Sequence, residues 1–104
     1  MQPTLTSSMI FNNVILTVKD AANIPPVADL LATLASRSRQ EPGCHRFEVY
    51  QSQADSATFF LIEQWQDQAA LDAHRQAPAF AELYVPEVIP LIERTPHLCD
   101  LLSP

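Results

Sequence analysis

The chain has 104 residues, enough for one domain and too few for two. It is 47% hydrophobic and 17% charged, ordinary for a soluble globular protein. Its net charge of −6, from 12 acidic and 6 basic residues, leaves no basic run to neutralise a phosphate backbone or an anionic membrane surface. Nucleic acid and membrane are therefore excluded as expected partners, and no apolar run approaches the length of a membrane span.

Residues 1–8 (MQPTLTSS) have neither a charged start nor an apolar core, so they read as a flexible tail and not as a signal peptide. One domain is expected over residues 9–104. Met9 to Lys19 reads as a strand, with Val14, Leu16 and Val18 on one face and Ile15 and Thr17 on the other. Pro25 and Pro26 suit the first turn of a helix, where their missing N–H groups would have had no partner. Val27, Leu30, Leu31 and Leu34 give that helix an apolar stripe. Arg37 and Arg39 fall in its last turn, where positive charge suits the dipole. Gly43 is the only glycine, and it stands where a positive φ would let the chain leave the helix.

Cys44 to Gln53 reads as a second strand. The short linker ADSA predicts a hairpin return through Thr58 to Gln66. Asp67 is a candidate N-cap for the helix that follows, on which Leu71, His74 and Arg75 share one side. Pro78 interrupts this helix. A further helical piece carries Phe80, Leu83 and Tyr84, and Pro86 and Pro90 kink or break what comes next. Pro96 to Leu102 is expected as the last strand. Cys44 and Cys99 have no metal-ligand spacing. A disulfide between them is one reading; buried free thiols in a reducing cytoplasm are the preferred one.

The order β-α-β-β-α-β, with right-handed crossovers, places both helices on one face of a four-stranded antiparallel sheet. This is the ferredoxin-like α+β arrangement. Yet the strands are apolar on both faces: Phe59 and Leu61 alternate with Phe60 and Ile62, where a wet face would alternate hydrophobic with polar. The face without helices therefore needs a cover. A second copy of the chain is the simplest one, giving a homodimeric α/β barrel.

Two segments carry a family resemblance: EPGCHRFEVYQ (Glu41 to Gln51) and FFLIEQWQDQAALDAHRQAPAF (Phe59 to Phe80). Their order and motifs resemble the antibiotic biosynthesis monooxygenase (ABM) domain of the dimeric α/β-barrel superfamily, in its quinol monooxygenase-like branch. The resemblance implies a homodimer. Many members of the family oxidise phenolic or quinol-type molecules with O₂ and no flavin, haem or metal, while others are isomerases or have no known substrate. The chain departs from the pattern at Ala79, where many members have a histidine. It departs again at Tyr84, where the haem-degrading branch has one.

Oxygenation without a cofactor needs an electron-rich ring, a base near neutrality, and an apolar cavity with hydrogen bonds to a developing oxyanion. His74, at the position of the family's "AH", is the candidate catalytic base; the alternative is a helix histidine bonded into the scaffold. Candidate substrate-binding residues are Trp65, Asn13, Tyr50, Phe80 and Tyr84, with Asn12 the alternative to Asn13 because the register of the first strand is ambiguous. Trp65 would be a wall stacked on an aromatic ligand, or a core residue. Arg75 is a candidate holder of an anionic group, or a surface ion pair. Glu63 faces the side of Trp65 and needs a partner, for which Arg46 is the candidate. The three histidines have no spacing for metal ligation, so no metal is expected, and the resemblance implies no cofactor. The resulting expectation is a cofactor-independent monooxygenase acting on a quinol or polyphenol with O₂. Its alternatives are an isomerase or metabolite-processing enzyme of the same fold, and a non-catalytic, stress-associated binding dimer.

Overall fold

A computed structural model describes residues 9–103. The tail expected over residues 1–8 lies outside them. The strands are β1 (Ile10–Val18), β2 (Cys44–Gln51), β3 (Thr58–Trp65) and β4 (Ile92–Cys99). The helices are α1 (Ile24–Ser38), α2 (Gln68–Gln76) and a π-helical segment α3 (Ala79–Val88), with 3₁₀ turns at Ala21–Asn23 and Ile89–Leu91. The strands form one antiparallel sheet in the order β2-β3-β1-β4. This is the ferredoxin-like α+β fold expected from the element order.

Alternation decides which face meets the helices. Val14, Leu16, Val18, Phe59 and Leu61 are buried, and they pack with Val27, Leu31 and Leu34 of α1 and Leu71 of α2. On the opposite face Ile15 is 39% exposed, and Phe11, Phe60 and Ile62 are half-buried beside it. That face therefore presents an apolar strip with no helix over it.

Local chemistry fixes the elements much as the sequence implies. Pro25 and Pro26 sit in the first turn of α1. Asp67 caps α2, its carboxylate accepting from the Ala70 N–H at 2.9 Å. Gly43 has φ +83, and a Cβ there would lie 2.6 Å from the Cβ of Ala70. Glycine is thus required twice, by the backbone and by the close approach of α2.

One element departs from expectation. β4 begins at Ile92 and ends at Cys99, earlier than the Pro96–Leu102 read from the sequence. Pro90 falls in the 3₁₀ turn that closes α3, and the backbone is already extended at Ile92, with φ −132 and ψ 163. Pro96 is accommodated inside the strand because β4 is an edge, where one side of the backbone has no ladder to complete. Both cysteines are free thiols. Cys99 is exposed, not buried as expected, whereas burial pushes the Cys44 thiol up to about 11.

Candidate functional site

The site is built outward from His74. Leu71 and His74 lie one turn apart on the inner side of α2, and both are buried. The His74 Nδ1 lies 2.7 Å from Oε1 of Glu41. A carboxylate only accepts, so Nδ1 carries the hydrogen and donates it. Nε2 is then the atom free to accept a proton, and it has no hydrogen-bond partner among the described residues. Glu41 is itself held in place. It lies in the turn between α1 and β2, which is fastened by backbone bonds from Glu41 to Ser38 and from Cys44 to Glu41.

Aromatic rings fix the imidazole from three sides. The ring of Trp65 is 4.5 Å away, tilted by 33°, and Phe80 and Phe47 are at 5.3 and 5.7 Å. Trp65 is fully buried and donates from Nε1 to Oε1 of Glu63 at 3.0 Å. Asn12 donates to the same oxygen at 3.4 Å. Glu63 is 5% exposed, and burial pushes its carboxyl above the ordinary range. The bonds from Trp65 and Asn12, and the charges of His74 and Arg94, oppose that rise without cancelling it. Across from these groups the Tyr84 hydroxyl accepts from Nε of Arg94 at 3.0 Å. Burial also raises the Tyr84 phenol, and the Arg94 charge works against it.

These residues surround a cavity of about 150 Å³ between the sheet and the helices. Asn12, Glu63 and Arg94 line it from the sheet, and His74, Phe80 and Tyr84 from the helices, with exposed Arg75 beside them. It holds a candidate base, a buried carboxyl, an amide and a guanidinium among apolar walls. That is the equipment for moving a proton and holding the anion left behind.

Of the residues singled out in the sequence, His74, Phe80 and Tyr84 come together at this cavity. Three placements need correction. Asn12, not Asn13, points into it; Asn13 lies on the helix-free face, donating to the Cys99 sulfur at 3.4 Å. Period-two alternation moves neighbouring side chains to opposite faces, and pairing with Glu63 settles the register. Tyr50 is also on the helix-free face, 50% exposed and bonded to Glu48. Trp65 stands behind His74 rather than lining the cavity. The partners of Glu63 are likewise Trp65 and Asn12 rather than Arg46, which makes an exposed ion pair with Glu48 at 2.8 Å.

Glu41 and Arg94 were not foreseen. Glu41 is 33 residues from His74, a separation no spacing rule detects. Arg94 lies in the part of β4 that precedes Pro96, and its pairing with Leu16 turns it inward. Among the described residues, no group of three or more His, Cys, Asp or Glu is arranged to hold a metal ion, and no helix is long and apolar enough to cross a membrane.

The family model for antibiotic biosynthesis monooxygenases matches residues 9–84. The chain belongs to that family. As an ABM protein it is 35% identical over 69 residues to an uncharacterised protein of Synechocystis, a match covering 66% of this chain. It spans only 42% of that relative's length. It is 33% identical over 75 residues to a Mycobacterium tuberculosis protein whose name proposes a monooxygenase, covering 72% of this chain and 71% of the relative. Among solved structures, a conserved protein of Bacteroides thetaiotaomicron titled a possible oxidoreductase superposes with a TM-score of 0.83 at 28% identity. That superposition covers 90% of this ABM chain and 98% of the other.

Proposed function

We propose that this ABM protein is a monooxygenase that oxidises a small quinol or phenol with O₂ in the His74 cavity, with no added cofactor. The observation that carries the reading is the buried His74, oriented by Glu41 at 2.7 Å so that Nε2 is left to act as a base beside a partly open cavity. In the proposed reaction Nε2 takes the proton of a ring hydroxyl. The electron-rich anion passes one electron to O₂, the radical pair couples to a peroxide that takes the proton back from Nε2, and loss of water from this hydroperoxide leaves the oxygenated ring. Asn12 supplies an N–H for the oxyanion that develops. The apolar walls, Phe80 among them, reduce the water around the radical pair. Oxygen uptake measured with a panel of dihydroxybenzenes tests this; a His74→Ala variant with undiminished uptake would remove the base from the mechanism.

A second reading uses the same residues for proton transfer without O₂. It is favoured by the presence of two acid–base groups, His74 and Glu63, at one small cavity. Product formation with no oxygen consumption would establish it as an isomerase instead.

We further infer that the working form is a homodimer closed over the helix-free face. The support is the apolar strip of Phe11, Ile15, Phe60 and Ile62, together with the side-chain Oδ1 of Asn13, which is buried without a hydrogen-bond partner among the described residues. The two free thiols fit a reducing cytoplasm.

A further inference from the structure

Arg94 is the least explained group of the cavity. Its Nε is spent on the Tyr84 hydroxyl at 3.0 Å, and its guanidinium carbon lies 5.7 Å from the centroid of the Tyr84 ring. Those two contacts fix the plane of the fork. Its Nη groups have no acceptor among the described residues. Glu63, the acid lining the same cavity, acts on Arg94 by charge alone, because both hydrogen bonds to its carboxyl come from Trp65 and Asn12. A half-buried cation with unused, geometrically fixed donors is costly unless something accepts from it. A planar carboxylate matches such a fork with two parallel bonds, which a neutral hydroxyl cannot do.

The cavity also limits size. About 150 Å³ is room for one aromatic ring and little more. His74, Leu61, Phe80 and Arg94 all line the same space. A base and a cation at one small cavity can address two different substituents of one ring. Exposed Arg75 adds a second positive charge at this cavity, in a chain whose net charge is −6.

We propose that Arg94 receives a carboxylate, so that the cavity selects a single-ring hydroxylated aromatic acid over the neutral quinol. This rests on the reading of the cavity as the substrate site. It makes Arg94 a specificity-determining residue.

Calorimetric titration of the full chain with 2,5-dihydroxybenzoate, its methyl ester and hydroquinone tests it without requiring turnover. The acid should bind at least about tenfold more tightly than either neutral compound, the scale of a charge-assisted pair. In Arg94→Gln the preference for the acid over its ester should vanish; in Arg94→Lys it should shrink without vanishing, because the charge remains and the fork is lost. Equal binding of acid and ester by the unmodified protein would overturn the proposal, and that comparison stands even if Arg94→Gln fails to fold. Oxygen uptake with hydroquinone but no preference for the acid would sink this inference alone. Tight, Arg94-dependent binding of the acid without uptake would uphold it and sink the oxygenase chemistry.

Discussion

Replacing Trp65 by Phe separates two jobs that the indole does at once, packing on His74 and donating to Glu63. Trp65 is fully buried, so the smaller ring leaves a void that neighbours fill only in part, costing about 1 kcal/mol. The larger effect is electrostatic. The 3.0 Å bond from Nε1 is the shorter of the two that Glu63 receives, and Asn12 at 3.4 Å is a poor substitute. Losing a hydrogen bond to a buried ionised carboxyl costs about 1.5–3 kcal/mol, so roughly 2.5–4 kcal/mol in all is expected where Glu63 is charged.

The sign of the pH dependence follows from the direction of the Glu63 shift. Its folded-state carboxyl is raised above the ordinary value of 4.5, so the native state holds the proton more tightly than the unfolded chain. Stability contributed through this group is greatest below that ordinary value and falls as pH rises through the raised one. Removing the Trp65 donor raises the carboxyl further and deepens that fall. Urea denaturation followed by circular dichroism should give a Trp65→Phe penalty that is larger at pH 8 than at pH 4. With Glu63→Gln in the background, the pH dependence of the penalty should flatten. A penalty equal at both pH values in the Glu63 protein would refute the assignment of Trp65 as the donor that makes the buried carboxylate tolerable.

Three other outcomes bear on the account. Gly43→Ala meets both a positive φ and a 2.6 Å approach to Ala70, so thermal melts should show a loss of about 2 kcal/mol or more; a loss under about 0.5 would mean the turn relaxes freely. Glu41→Gln keeps an acceptor for Nδ1 but removes the charge behind His74, so kcat with a true substrate should fall roughly tenfold to a hundredfold with little change in KM, part of the 10²–10⁴ range available to general base catalysis. An unchanged kcat would leave Glu41 as scaffold only. Sedimentation at low micromolar concentration should give about twice the 11.6 kDa chain mass, and Ile15→Lys with Ile62→Lys should halve it; a monomeric unmodified chain would contradict the covered-face argument.

Much of the fold could be read directly because local signals agreed with global ones. Alternation in β1 and β3, two prolines opening α1, Asp67 before α2 and one glycine at the tightest turn each pointed to the same arrangement. The exception was β4, where prolines within a run of apolar residues hid the strand's start, and an edge position forgave a proline that a central strand would not. The site was legible only where a helix or strand period placed a residue. His74 and Phe80 belong to that class, and so does Glu63, which alternation put inside. Asn12 against Asn13 turned on which face of β1 meets the helices: alternation carries Asn12 with Val14 and Leu16, and that is the buried set. Glu41 reaches His74, and Arg94 the cavity, from remote segments, and no periodicity in a single chain encodes such an approach.

The central claim is that the cavity beside His74 is where a small aromatic molecule meets O₂. An oxygen electrode, with the full chain and 2,5-dihydroxybenzoate or hydroquinone as substrate, measures this most directly. The account predicts protein-dependent oxygen uptake that is stoichiometric with oxidised product and falls by about 10² or more in His74→Ala. Uptake that is absent across such substrates, or equal in His74→Ala, would contradict it.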